Sequence, residues 1–104
     1  MKQEEKLDIL EEALRTYGAE AQTMMVMEEM AELQKALCKL PRTTSAKERG
    51  IIVLQIAEEI ADVQIMLEQM IILHDIAEPV DNYKTLKLIR LKNRLWEATK
   101  EGEA

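Results

Sequence analysis

The sequence predicts an all-α fold of four helices, and three observations predict it. The chain of 104 residues is rich in Ala, Leu, Ile, Met, Glu, Lys and Gln, with three glycines, two prolines and no phenylalanine. Residues of this kind favour helix, and few positions interrupt it. Apolar residues recur every three to four positions over long stretches. Where that rhythm breaks, the residues are ones that stop or start helices.

The first helix is expected from about Lys2 to Tyr17, ending at Gly18, a natural C-terminal cap. The second runs from about Glu20 to Leu40 and is halted by Pro41. A short basic and polar connection, "PRTT", follows. "SAKE", Ser45 to Glu48, has the spacing of a capping box and starts the third helix near Ala46, with Gly50 inside its first turn. That helix extends to about Ile76, because the residue before Pro79 disfavours helical backbone. Asp81 is placed to cap the fourth, which ends near Gly102. No repeat or low-complexity tract divides the chain, so residues 1–104 read as a single domain.

On a helical wheel, Val26, Met30, Leu33 and Leu37 form the expected core stripe of the second helix. Ile56, Ile60, Val63, Leu67 and Ile71 form that of the third. The third helix is apolar around much of its remaining circumference, which is the pattern of a buried helix. Its acids, Glu58, Glu59 and Asp62, are expected in the sector opposite the core, beside Gln55 and Met66. Glu28, Glu29 and Glu32 occupy the corresponding sector of the second helix, with Met25 and Ala36.

These acids recur in two matching phrases, "EEMAELQ" at 28–34 and "EEIADVQ" at 58–64. Residues three apart share a helix face, so Glu29 with Glu32, and Glu59 with Asp62, each make a two-carboxylate claw. One such phrase alone is the ordinary pattern of a solvated helix face. Its repetition on a second, otherwise apolar helix points to paired halves of one site. Four carboxylates brought together repel unless a cation binds, and oxygen-only ligands select a hard ion. Mg²⁺ fits best, with Mn²⁺ as its substitute. Carboxylate di-iron bundles use Glu-x-x-His pairs, and neither pair here contains histidine.

The pattern E-E-x-x-E at 28–32, then E-x-x-D at 59–62 after 26 intervening residues, resembles the signature of the MazG-like all-α nucleoside triphosphate pyrophosphohydrolases. The likeness spans about Tyr17 to Leu95. "EEMAELQKALCK", "EEIADVQIMLEQM" and "LKLIRLKNRL" resemble the short single-domain, often phage-associated, members. The resemblance implies a four-helix bundle assembling as a homodimer or dimer of dimers. It also implies Mg²⁺-dependent hydrolysis of a nucleoside triphosphate to monophosphate and pyrophosphate, in the service of nucleotide-pool house-cleaning. It gives Glu29, Glu32, Glu59 and Asp62 the role of metal ligands, with Glu28 as auxiliary ligand or water-orienting base. Many relatives carry an asparagine on the last helix between a lysine and an arginine; with Lys87 and Arg94 as those neighbours, Leu91 stands in its place.

Read from its own residues, the last helix carries Lys84, Lys87, Arg90 and Arg94 at helical spacing, with Leu88, Leu91 and Leu95 on another side. Lys87, Arg90 and Arg94 are the phosphate-binding candidates, and a solvated amphipathic face is the alternative. Tyr17, Tyr83 and Trp96 read as packing residues, His74 as a core or interface histidine, and Cys38 as an inert small residue. The methionines between 24 and 30 read as core or interface filler.

The net charge of −6 argues against a nucleic-acid partner. The longest apolar run, "IIVLQIA", is far below the roughly 20 residues a membrane span requires. A single cysteine and a charged start, "MKQEEKLD", lead to the expectation of a reducing cytoplasm. Two other functions compete with the leading one: a dedicated deoxynucleotide enzyme of the dUTPase or dCTPase type, and a non-catalytic helical interaction protein.

Overall fold

The structure is a computed structural model that describes the backbone of residues 1–103 and side chains through Lys100. It is all-α, with helices α1 (Gln3–Tyr17), α2 (Ala19–Lys39), α3 (Ala46–His74) and α4 (Ala77–Glu103). The chain forms two compact units, Met1–His74 and Asp75–Ala104.

In the first unit, α1 and α2 are separated by one residue. Gly18 donates its N–H to Leu14 O and accepts from Gln22 N, so it closes one helix and opens the next. Its backbone, at φ 88° and ψ 157°, lies in a region that side chains exclude. No atom lies within 4 Å of where a Cβ would stand, so the need for glycine here is conformational rather than steric.

Pro41 ends α2 as expected, and Leu40–Arg42 continue as a turn of 3-10 helix. Thr43 closes that turn by donating both its N–H and its hydroxyl to Leu40 O. Ser45 then accepts from Glu48 N at 3.1 Å, one half of the capping box read from "SAKE". This compact link folds α2 and α3 into a helical hairpin. Gln22 meets Gln69 toward one end and Glu29 meets Asp62 farther along, so the two helices run antiparallel. They form the main contact of the unit, and α1 lies against both.

The seam between α2 and α3 differs from the stripes expected. Val26 and Ala36 of α2, and Ile52, Val63 and Met66 of α3, form the buried core, joined by Gln22 and Gln69. Leu33 and Ile56 are half-buried. Met30, Leu37, Ile60 and Leu67, placed in the core by hydropathy, are 51, 47, 40 and 42% exposed. The contact face is rotated toward the acids, so Ala36 and Met66, assigned to the outer sectors, lie inside. Hydropathy cannot choose a face on a helix that is apolar almost all round.

The second unit holds α4. It begins at Ala77, earlier than the cap expected at Asp81, and its first bond is Val80 N to Ile76 O at 3.0 Å. Pro79 falls within its first turn, where the missing N–H has no intrahelical partner to lose. Asp81 is an interior residue whose carbonyl accepts from Thr85 Oγ1. Asp75, directly after α3, takes a left-handed conformation at φ 53°, which aspartate tolerates better than most side chains. Among the described residues, no helix is long and apolar enough to cross a membrane.

Candidate functional site

The α2–α3 seam carries carboxylates into its own interior. Glu29 lies on the same face of α2 as Gln22, Val26, Leu33 and Ala36. Glu59 and Asp62 lie among Ile56, Val63 and Met66 on α3. All three acids are half-buried, and one oxygen from each falls within 4.8 Å of the others. Each sits where the helical period carries the contact face past it, so the same packing that buries Val26 and Val63 brings the carboxylates together.

The electrostatics of the cluster are unfavourable in the absence of a cation. Burial, followed by the charges of Asp62, Glu59 and Glu32, raises the Glu29 pKa above its ordinary 4.5. A hydrogen bond shared with Asp62 adds to the effect. The Glu59 pKa is also raised, by burial first and then by Asp62, Glu32 and Glu58. Glu59 Oε2 is buried and has no hydrogen-bond partner. A carboxylate oxygen withdrawn from water without a donor is costly, and like charges around it add to that cost.

Five acids were singled out from sequence, and the structure gathers three. Glu32 is exposed, but its charge acts on both Glu29 and Glu59, so it borders the cluster. Glu28 is exposed and outside the three-residue group. On α4, Lys87, Arg90 and Arg94 line one surface together with Asn93. Leu91 is not among the residues of that surface, whereas Asn93 is.

Comparison of the chain with protein-family models, curated proteins and solved structures gives no match. The site therefore rests on its own geometry and on the sequence pattern.

Sequence reading passed over Gln22 and Gln69, the two buried polar side chains of the seam. Gln22 Nε2 donates to Gln69 Oε1 at 2.7 Å, and Gln69 Nε2 lies 3.8 Å from Met66 Sδ. A signal was present: Gln22 stands seven residues before Glu29, and Gln69 seven after Asp62, which puts each on the face of its acid.

The raised pKa values fix the sign of a pH effect. Below the unfolded value near 4.5, Glu29 and Glu59 are protonated in both states and impose no difference. As pH rises from there through the raised folded values, the folded chain retains protons that the unfolded chain has released, so its stability falls. Above that window the penalty is complete. Glu29→Gln and Glu59→Gln should therefore raise the melting temperature of the metal-free protein at pH 7.5 and flatten its decline between pH 4.5 and 7.5. Thermal melts at constant ionic strength check this, because salt alone screens repulsion. Variants less stable than the wild type would mean that the carboxylates stabilise the fold.

Proposed function

We propose that the protein is a Mg²⁺-dependent nucleotide pyrophosphohydrolase of the MazG-like kind, converting a nucleoside triphosphate to the monophosphate and pyrophosphate. The observation that carries this reading is the convergence of Glu29, Glu59 and Asp62 across the seam, with Glu59 Oε2 buried and unpartnered. A divalent cation offsets both the lost hydration and the mutual repulsion, and an all-oxygen donor set suits Mg²⁺ or Mn²⁺. These are the same residues that carry the likeness to the family, which adds the reaction to the site.

Glu29, Glu59 and Asp62 would hold the ion, and the exposed Glu32 would add its charge at the border of the cluster. When bound, Mg²⁺ neutralises phosphate charge and lowers the pKa of coordinated water. Glu28, exposed and one residue from Glu29, is free to accept a proton from the water that attacks the α-phosphorus. Lys87, Arg90, Asn93 and Arg94, which share one surface of α4, are cationic and amide groups of the kind that bind phosphate oxygens. Removal of non-standard or surplus nucleotides is the role such an enzyme serves.

The same reading includes self-association. No large side chain is fully buried among the described residues, and Met24, Met27, Met30 and Leu37 of α2 are all about half exposed. Apolar surface on this scale calls for a partner, and a symmetric homodimer or homotetramer supplies one with identical surfaces.

Two measurements test the proposal. Incubation with a panel of common and damaged triphosphates should release pyrophosphate and monophosphate only when Mg²⁺ or Mn²⁺ is present. Asp62→Asn should lower turnover by at least roughly 100-fold, the scale expected when charge stabilisation of the transition state is removed. Release of orthophosphate with diphosphate would place the cut at the wrong bond, and no turnover on any nucleotide would reject the activity. Sedimentation at micromolar concentration should give a dimer or tetramer, and a monomer would contradict the assembly.

A further inference from the structure

We propose that the buried hydrogen bond between Gln22 and Gln69 is a clasp that holds the open end of the α2–α3 hairpin shut, and so positions the carboxylate layer. Its effect on cation binding rests on the metal reading above, whereas its hold on the helices does not.

The two side chains are only 6 and 4% exposed, and their bond at 2.7 Å is short and directional. Among the described residues, the other side-chain hydrogen bonds between the two helices are the one Glu29 shares with Asp62, which lasts only while a proton lies between the two carboxyl groups, and a contact from Thr23 Oγ1 to Met70 Sδ at 3.7 Å. That contact is exposed and involves a weak sulfur acceptor. The buried apolar part of the seam is Val26, Ala36, Ile52, Val63 and Met66, whose contacts have no preferred direction. Apolar surfaces slide past one another at little cost, whereas a hydrogen bond is lost once its partners part by under an ångström.

The position of the bond gives it a task. From Gln22 to Glu29, and from Asp62 to Gln69, is two helical turns, or about 10.5 Å along the axis. On the far side of the acids, the link from Leu40 to Ser45 ties the helices covalently. The carboxylate layer thus lies between a covalent tie and the Gln22–Gln69 bond. Repulsion among Glu29, Glu32, Glu59 and Asp62 pushes the helices apart most easily at the end away from that link, where α1 lies against both but only the clasp joins α2 to α3 by a buried hydrogen bond. The clasp stands at that end.

Stability alone does not account for two amides in this place. Replacing both partners of a buried hydrogen bond with apolar groups of similar shape is often close to neutral. Polar pairs in helix seams are best attested as devices that fix register. Gln69 is further oriented by its contact with Met66 Sδ, which keeps its oxygen facing Gln22.

The test uses Gln22→Leu together with Gln69→Leu, which removes the bond without leaving an unpaired amide. Gln22→Met with Gln69→Met repeats it should the leucine pair misfold. Nitroxide labels are placed at Ala21→Cys and Glu68→Cys in a Cys38→Ser chain, diluted into unlabelled chain so that distances within one chain are read. The folded double variant should keep its melting temperature within a few degrees, while the interspin distance distribution widens and moves to longer values. Its affinity for Mn²⁺ should fall roughly tenfold or more, the scale seen when groups that orient metal ligands are removed. A distribution unchanged from the wild type, or a widened one with Mn²⁺ affinity intact, overturns the proposal. A wild-type chain that takes up no Mn²⁺ overturns the metal reading instead, and the distance distribution then decides the clasp by itself.

Discussion

The packing of α2 against α3 is the constraint on which the first unit depends, because one seam must both hold the helices together and hold acids apart from water. Val26, Ala36, Ile52, Val63 and Met66 are its buried apolar residues, a small core for this length of chain. Glu29, Glu59 and Asp62 interrupt it at mid-length. A seam filled with leucine would be more stable, and the presence of acids in it is a local conflict of the kind that marks functional positions. A cation bound as proposed would relieve the conflict, and the ion that serves the proposed chemistry would also satisfy the packing.

The remaining features of the unit support that seam. Gly18 turns the chain between α1 and α2 within one residue, so α1 returns onto both central helices. Thr43 and Ser45 tighten the connection from α2 to α3, which sets the two helices side by side with little slack. The exposed ion pair between Arg15 and Glu12 on α1, by contrast, is the sort of surface contact that adds little. What the single chain leaves unburied, above all the methionine-rich side of α2, is the surface on which the proposed assembly rests.

Much of this was legible in the sequence where the signals are local. Pro41, Gly18 and the Ser45–Glu48 spacing placed three helices to within a residue or two, since caps and breakers act within a turn of where they stand. The fourth helix start was misplaced because proline was read as a barrier, whereas Pro79 occupies a first turn that accommodates it. The acidic pairs were found because repetition at helical spacing survives without tertiary information. The choice of contact face was not legible. On α3, apolar residues on several sides make the candidate faces nearly equal in hydropathy, and only the contact with α2 shows which is buried. Glu29, Glu59 and Asp62 were therefore expected behind the core and instead lie in the helix–helix contact. That placement strengthens the case for a bound cation, because it adds burial to repulsion. Gln22 and Gln69 escaped notice because a lone glutamine on a helix carries no signal until its partner across the seam is known.

The central claim is that a divalent cation binds inside this seam, and the most direct measurement locates it there. In methyl-resolved NMR spectra of the metal-free protein, substoichiometric Mn²⁺ broadens signals near the site it occupies. The account predicts that the methyl signals of Val26, Val63 and Met66, which share the contact faces of Glu29, Glu59 and Asp62, broaden first. Leu73, about 16.5 Å along α3 from Asp62 and lining a surface with the exposed Glu20, should remain sharper at the same ratio. Equal broadening of Leu73 and the seam methyls, or broadening at Leu73 alone, would show that Mn²⁺ finds only exposed acids and would contradict the account.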